Sequence, residues 1–443
     1  MLESLIRIEN MHWCGNAFQP ELEDGTAAIA RKATAVRGRF ACALPGRRGG
    51  ATLVRDRLGL NKLFVAVHES GRMLVASYLI DLVEREVPFE SMFSVPAGHI
   101  VTLNPAHDRV TIQRYAGVDA APSAEPDDLA REIRQQLEVW FGRLAEQFGR
   151  RRIYVCLSGG LDSGLIAALA RRYFSDVSAY TYTFTGEDGG RSEDAEYASR
   201  LAATLGIPLR FVHASAEDIL DALDAALCYG QDWRDFNVHC AIVNELLARA
   251  IRRDLDLAPI GTEALVLTGD LANELLADYT PVWCAGREYY RLPDMRPADL
   301  RLVLVRGLDA GDREIGVFGR HRLDVLQPYG LLADEYLRLP ASSIGGDRSK
   351  QTLVQRIAGD LLPPFLFERP KVRAQIGSSS SPGGILPVLA AHGYDGPGLK
   401  RAFCRVFGIE DESILSRFIR AGRYRAVSRL SDARSLVNGY VAA

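Results

Sequence analysis

The 443-residue sequence lacks several features that would assign a protein to a class directly. No apolar run approaches the roughly 20 residues of a membrane-spanning helix, and the amino terminus has no basic segment followed by an apolar one, as secretion signals do. The seven cysteines form no C-x-x-C pair, which argues against a zinc site and a disulfide framework. A net charge of −3 provides no basic field for nucleic acid. We therefore expect a cytoplasmic protein that contacts neither a membrane nor nucleic acid.

The composition is that of ordinary globular domains. Hydrophobic residues make up 47% of the chain and charged residues 25%, and the chain is too long for one compact core. In residues 1–120, short runs of strand formers alternate with Gly, Asn and Asp, which predicts a β-rich domain. After a polar, Pro-containing linker, strands alternate with helices in residues 127–443. This alternation predicts an α/β domain with a doubly wound parallel sheet, whose ligand lies at the carboxyl ends of the strands.

A phosphate-binding loop is the clearest motif of the second region. The stretch from Arg152 to Tyr173 reads RIYVCLSGGLDSGLIAALARRY, an apolar strand followed by a tight loop and a helix. The glycines let backbone N–H groups approach an anion, the serines add hydroxyl groups, and the helix offers its positive end. No Walker pattern occurs, so no loop lysine reaches a terminal phosphate. We predict that phosphate groups bind to Leu157, Ser158, Gly159, Gly160, Leu161, Asp162 and Ser163.

Two motifs of this region resemble those of known ATP-using enzymes. SGGLDS, at 158–163, resembles the pyrophosphate loop of the N-type ATP pyrophosphatases, which cleave ATP between the α and β phosphates. TGDLANELLADY, at 268–279, resembles the SGEGADELFGGY motif of asparagine synthetases and implies that Gly269 belongs to the nucleotide site. In that family the motif has two acids three residues apart, and the second acid binds Mg²⁺. Here Asp270 stands at the position of the first acid and Asn273 at the position of the second. The resemblance therefore implies Mg²⁺ held by Asp162, Asp270 and the phosphates, since Asn273 is a weaker, neutral ligand.

Two further segments carry implied catalytic residues. DVLQPY, at 324–329, resembles the E-x-R-x-P-F turn of asparagine synthetases, and β-lactam synthetases use a Glu of this region as a base. Asp324, helped by Asp270, would then take a proton from the attacking amine. The alternative is that Asp324 only orders the turn. The segment 368–378 resembles the lysine loop of both families, so Lys371 would stabilise charge on the α-phosphate and the acyl oxygen. The alternative is that Lys371 belongs to a basic surface loop and has no catalytic role.

The first region resembles the glutaminase domain of asparagine synthetases. RDRLGL, at 55–60, and SVPAGH, at 94–99, carry this resemblance. The family's glutaminase uses an amino-terminal cysteine as its nucleophile, whereas this chain begins Met1-Leu2. Processing to Cys14 would expose such a cysteine, but the segments that bind glutamine are absent. We expect a degenerate Ntn-like, glutaminase-like scaffold without glutamine hydrolysis.

The resemblance implies an adenine-nucleotide α-hydrolase-like synthetase domain that uses ATP and Mg²⁺. Its expected reaction is adenylation of a small-molecule carboxylate with release of pyrophosphate, followed by amide formation with an amine. We expect this reaction to serve natural-product biosynthesis. One variant of it is intramolecular and forms a lactam. The alternatives are a lasso-peptide macrolactam cyclase with a peptide substrate, an ammonia-dependent asparagine synthetase, and a non-catalytic nucleotide-binding homologue. A homodimer is compatible with this interpretation.

Overall fold

Two four-stranded sheets form much of the first region in the computed structural model, which describes residues 2–14, 17–46, 49–67, 72–119, 124–185, 191–279, 282–284, 287–289, 294–307, 313–345, 348–369, 384–417 and 429. The strands are β1 (Leu2–Leu5), β2 (Met11–Cys14), β3 (Arg37–Arg39), β4 (Ala41–Pro45), β5 (Ala51–Arg55), β6 (Phe64–Val67), β7 (Met73–Ala76), β8 (Met92–Ser94), β9 (His99–Asn104) and β10 (Arg109–Arg114). One sheet has the order β1-β7-β6-β8 and the other β10-β9-β5-β4, while β2 and β3 form a separate pair. The helices are α1 (Thr26–Ala35) and α2 (Leu79–Val83).

The apolar faces of these two sheets pack against each other. Leu53 and Val101 from one sheet and Val65 and Val75 from the other are fully buried in one cluster. Side chains of one face recur at every second residue of a strand, so short alternating runs suffice to build this layer. The first region is therefore β-rich, while its glutaminase-like character stays a prediction.

A five-stranded parallel sheet forms the centre of the second region. Its strands are β11 (Arg152–Cys156), β12 (Val177–Phe184), β13 (Leu209–Ala214), β14 (Ala264–Leu267) and β17 (Val325–Leu326), in the order β13-β12-β11-β14-β17. All four neighbouring pairs are parallel. A short antiparallel hairpin, β15 (Val282–Cys284) and β16 (Arg287–Tyr289), lies outside this sheet. Because parallel strands end at the same edge, the loops that follow them meet there.

Helices cover both faces of the parallel sheet. They are α3 (Pro126–Phe148), α4 (Leu161–Tyr173), α5 (Glu193–Leu205), α6 (Ala216–Gly230), α7 (Asp235–Asp256), α8 (Ala272–Leu276), α9 (Pro297–Gly307), α10 (Arg313–Arg320), α11 (Ala333–Leu337), α12 (Ser349–Ala358), α13 (Phe365–Glu368), α14 (Ile385–Ala391), α15 (Gly396–Val406) and α16 (Ser413–Arg417). Ile153 and Val155 of β11 pack with α3, α4 and α5. Tyr154, which points the other way, packs with α6 and α7. This arrangement confirms the predicted α/β class with a parallel sheet.

The two regions share hydrophobic clusters. Leu58 and Leu60 belong to the cluster on one face of the parallel sheet, and Ile8 and Phe64 belong to the cluster on the other. The division into domains at 1–120 and 127–443 stays a prediction. Among the residues that the structure describes, no helix is both long and apolar enough to cross a membrane.

Candidate nucleotide-binding site

A cavity of about 310 Å³ lies at the carboxyl edge of the parallel sheet. The loops after β11 and β14, one face of α7, and the first residues of α10 and α12 form its walls. Its volume is at the lower end of the range of small-molecule pockets, about 300–1,000 Å³. The cavity therefore lies where the alternation of strands and helices predicts a ligand.

The predicted phosphate loop borders this cavity, and its backbone geometry requires glycine. Gly159 has a φ of +72°, and a Cβ there would lie 2.6 Å from the carbonyl oxygen of Asp194. The Ser158 N–H donates to Ser163 Oγ at 3.1 Å, and the two serine hydroxyl oxygens are 3.0 Å apart. No side chain caps the amino end of α4. The first N–H groups of this helix are therefore open to a bound anion.

Gly269 brings the loop after β14 against the phosphate loop. A Cβ at Gly269 would lie 2.6 Å from the backbone nitrogen of Ser163. Both residues line the cavity. The structure thus brings the predicted nucleotide-site residues of the two motifs together at one edge of the sheet.

Lys350 lies beside the predicted metal ligand Asp162. Its ammonium donates to Asp162 Oδ2 and to Asn273 Oδ1 at 2.8 Å, and it lies 3.4 Å from Asp278 Oδ2. The side chain is 11% exposed. Burial would lower the pKa of Lys350, but Asp162 and Asp278 outweigh burial and hold this pKa above its usual value. The ammonium therefore stays charged at neutral pH.

Asp270, the second predicted metal ligand, is paired with an arginine. The Arg313 Nη2 lies 2.9 Å from Asp270 Oδ2 and 3.2 Å from Oδ1. Both side chains are largely buried, 17% and 23% exposed, and both line the cavity. A carboxylate that accepts two contacts from one guanidinium is already neutralised. Asp270 therefore lies in the cavity as predicted, but as the partner of a base.

The predicted binding of Mg²⁺ by Asp162, Asp270 and the phosphates of ATP stays a prediction. Within the described part of the chain, no group of three His, Cys, Asp or Glu side chains is placed to hold a metal ion. Bases neutralise both predicted ligands, Asp162 through Lys350 and Asp270 through Arg313. Asp162 Oδ1 is buried and has no hydrogen-bond partner, so one oxygen remains for a cation. Mg²⁺ is usually bound through one or two carboxylates together with substrate phosphates, so this oxygen would serve such an ion when ATP is bound.

Asp324 does not reach the cavity, which corrects the expectation that it acts as a base there. It directly precedes β17, so it lies at the amino edge of the parallel sheet, and its carboxylate is paired with Arg151, which precedes β11. Gln327 and Tyr329, from the same motif, do extend to the site. Gln327 Nε2 donates to Glu314 Oε2 at 2.8 Å, and the Tyr329 hydroxyl donates to the carbonyl oxygen of Asp162 at 3.2 Å.

Glu314 is the buried carboxylate of the cavity that the sequence analysis missed. It is 4% exposed. Its Oε2 accepts from the Thr268 hydroxyl at 2.7 Å and from Gln327. Its Oε1 accepts from Asn244 Nδ2 at 3.3 Å. No motif marks Glu314, because it lies in the first turn of α10, 46 residues after Thr268 in the chain.

Lys371 lies outside the described residues, but Arg369, two positions before it, contacts the phosphate loop. Arg369 Nη1 donates to the carbonyl oxygen of Gly159 at 3.0 Å, and its Nη2 donates to Asp194. Burial raises the pKa of Asp194 to about 7, although Arg369 opposes this shift. Arg369, the last described residue before Lys371, is therefore held against the phosphate loop.

The lysine content offered a clue to Lys350. The chain has 53 lysines and arginines together, of which only Lys32, Lys62, Lys350, Lys371 and Lys400 are lysines. Lysine provides a compact charge where arginine provides a planar fork. A lysine in a chain so rich in arginine therefore merits attention as a candidate functional residue.

A glycine-containing loop at the start of a helix and a cavity at the carboxyl edge of a parallel sheet are typical of nucleotide-binding α/β proteins. Residues 145–308 match the asparagine synthase family model. This match and the curated relatives confirm the resemblance to asparagine synthetases that the motifs indicate.

The curated relatives include glutamine-hydrolysing asparagine synthetases. Asparagine synthetase 2 of Lotus japonicus is 27% identical over 253 residues, which cover 55% of this chain and 40% of the relative. The human asparagine synthetase is 22% identical over 364 residues, 74% of this chain and 61% of the relative. The chain thus matches 40% and 61% of the lengths of these two relatives.

Two solved structures are similar to parts of the chain. The NMN synthetase of Francisella tularensis is 14% identical and covers 65% of this chain and 94% of its own, with a TM-score of 0.30. The glutamine-dependent NAD+ synthetase of Acinetobacter baumannii, solved with ADP, is 17% identical and covers 78% of this chain and 55% of its own, with a TM-score of 0.29.

Proposed function

We propose that the protein is an ATP-dependent C–N ligase that adenylates a carboxylate, releases pyrophosphate and joins the acyl group to an amine. The observation that carries the proposal is a single cavity bordered by both an anion-binding loop and a buried carboxylate, Glu314. The asparagine synthase-type region at 145–308 supports this class of chemistry. Both half-reactions then use one site.

In the first step, an oxygen of the substrate carboxylate bonds to the α-phosphorus of ATP. The bond from this phosphorus to the bridging oxygen breaks, and pyrophosphate leaves with the electron pair. The loop from Ser158 to Ser163 binds the leaving pyrophosphate through its backbone N–H groups and the start of α4. Lys371 stabilises the negative charge that builds up on the α-phosphate. The contact of Arg369 with Gly159 supports this role, since Arg369 lies two residues before Lys371 in the chain.

In the second step, the amine nitrogen attacks the acyl carbon. The carbon–oxygen bond to AMP breaks, AMP leaves with the electron pair, and the amine loses a proton to Glu314. Thr268, Gln327 and Asn244 donate to this carboxylate and fix its orientation. Glu314 therefore takes the role that the sequence analysis assigned to Asp324.

The proposed substrates are a small-molecule carboxylate and an amine, without hydrolysis of glutamine, in natural-product biosynthesis. One face of α7 contributes Phe236, Cys240, Val243 and Leu247 to the cavity, at the spacing of a single helical stripe. This apolar wall supports the binding of an aromatic or aliphatic group, either the adenine base or part of the acid. An amine on the acid itself would give a lactam.

Exchange between ATP and labelled pyrophosphate, measured with a panel of amino acids, β-amino acids and small peptides, tests the proposal. We expect one acid to stimulate exchange in the wild type and the variant Lys371→Ala to lose it. Asp324→Asn is the matched control, because its carboxylate lies at the opposite edge of the sheet, and it should retain exchange. No exchange with any acid, in protein that binds ATP, would contradict the proposal and favour a non-catalytic nucleotide-binding protein. Exchange only with a peptide would favour a cyclase.

A further inference from the structure

Asn244 interrupts the apolar stripe that α7 presents to the cavity. Phe236, Cys240, Val243 and Leu247 line the cavity from this helix, and Asn244 lines it with them. Positions 236, 240, 244 and 247 follow one another at intervals of four, four and three residues, the spacing of one helix face. Asn244 is only 8% exposed. Because a buried polar group is costly without hydrogen bonds, an amide at this point of the wall indicates a hydrogen-bonding role.

One end of this amide has a partner within the described chain and the other end has none. Asn244 Nδ2 donates to Glu314 Oε1 at 3.3 Å. A carboxylate oxygen accepts but does not donate, so this contact fixes which end of the amide is the nitrogen. Asn244 Oδ1 is buried, and no described residue donates to it. Because Asn244 lines the cavity, a ligand bound there can supply the missing donor.

Glu314 and Asn244 therefore offer two acceptor oxygens side by side. The amide carbon joins Oδ1 to Nδ2, and Nδ2 contacts Glu314 Oε1, so the two oxygens belong to neighbouring groups. A neutral primary amine carries two N–H groups and one lone pair. It can give one N–H to each oxygen while its lone pair faces the acyl carbon. A secondary amine has only one N–H to give.

We propose that Asn244 binds the attacking amine and selects ammonia or a primary amine over a secondary amine. The proposal rests on the proposed ligase reaction. As the nitrogen bonds to the acyl carbon, AMP leaves with the electron pair of the broken carbon–oxygen bond and one proton passes to Glu314. The second N–H stays on the nitrogen in the amide product and donates to Asn244 Oδ1. A secondary amine uses its single N–H on Glu314 and leaves Oδ1 without a donor, which a buried site tolerates poorly.

Single-turnover amide formation by the full-length wild type, with the acid identified by exchange, tests this inference. The probes are methylamine and dimethylamine or, where the acid carries its own amine, the acid and its N-methyl derivative. We expect the secondary amine to react about tenfold or more slowly than the primary amine, as for one unpaired buried group. Pyrophosphate exchange should differ by less than a few-fold between the two. Similar rates of amide formation with both amines would overturn the inference.

Asn244→Leu tests whether the selectivity comes from the amide oxygen. Leucine has a similar size but no acceptor, so the primary amine should lose its advantage and the ratio of the two rates should approach one. Thr268→Val is the matched control, because it removes another donor to Glu314, at 2.7 Å, and leaves Asn244 in place. It should lower both rates alike and keep the ratio. Thermal unfolding of each variant verifies that the fold is retained.

The outcomes separate this inference from the proposed ligase. A wild-type ratio that Asn244→Leu leaves unchanged would overturn the role of Asn244, while exchange and amide formation would still support the ligase. Exchange without amide formation from any amine, or no exchange with any acid, would overturn both.

Discussion

Replacing Glu314 by Gln should separate the two half-reactions. Glutamine has nearly the same shape, and its carbonyl oxygen still accepts from Thr268 and Gln327, which donate to a single carboxylate oxygen. The new amide group would face Asn244 Nδ2, whose contact is the longest of the three at 3.3 Å. The fold should therefore survive, with a loss of about 1–2 kcal/mol for one mismatched buried contact.

The chemical effect should be much larger and confined to the second step. Removal of a general base costs about 10²- to 10⁴-fold in rate. We expect amide formation to fall by this factor while pyrophosphate exchange stays within a few-fold of wild type, since adenylation needs no base. Rapid-quench measurement of both products in a single turnover tests this expectation. Equal losses in both steps, or none in either, would refute the role of Glu314.

Three further predictions concern the phosphate loop and the sheet edges. Gly159→Ala should abolish binding of an ATP analogue and lower the melting temperature, because its φ of +72° and a 2.6 Å clash with Asp194 exclude a Cβ. The contribution of Asp194 to the unfolding free energy should decline as pH rises from about 4 to 7, because burial raises its pKa to about 7 and the folded state holds this proton longer. Asp194→Asn should remove that slope in denaturant titrations. Asp324→Ala should cost under about 1 kcal/mol and leave pyrophosphate exchange unchanged, since it breaks only a partly exposed ion pair.

Local patterns in the sequence mark the phosphate loop and the helix before it. The apolar stripe of α3, with Leu129, Ile133, Leu137 and Phe141 all buried, is visible in the sequence at helical spacing. The loop from Ser158 to Ser163 combines strand, glycines and helix within a few residues. In the first region, the β-rich prediction did not include α1, whose ten residues carry no strong boundary signal.

Long-range contacts explain the site residues that were missed or misplaced. Lys350 meets Asp162 across 188 positions, and Glu314 meets Thr268 across 46, so no local motif contains either pair. The error over Asp324 has a different origin. A residue that precedes a parallel strand lies at the amino edge, whereas ligands bind at the carboxyl edge, so strand direction alone argues against Asp324.

The most direct measurement uses the acid identified by exchange, labelled with ¹⁸O in its carboxylate. Mass spectrometry of the nucleotide product reports whether a carboxylate oxygen was transferred to the phosphorus. The proposed acyl-adenylate chemistry predicts AMP and pyrophosphate, with one ¹⁸O atom in AMP. Formation of ADP and phosphate, or of AMP without label, would contradict the proposed reaction.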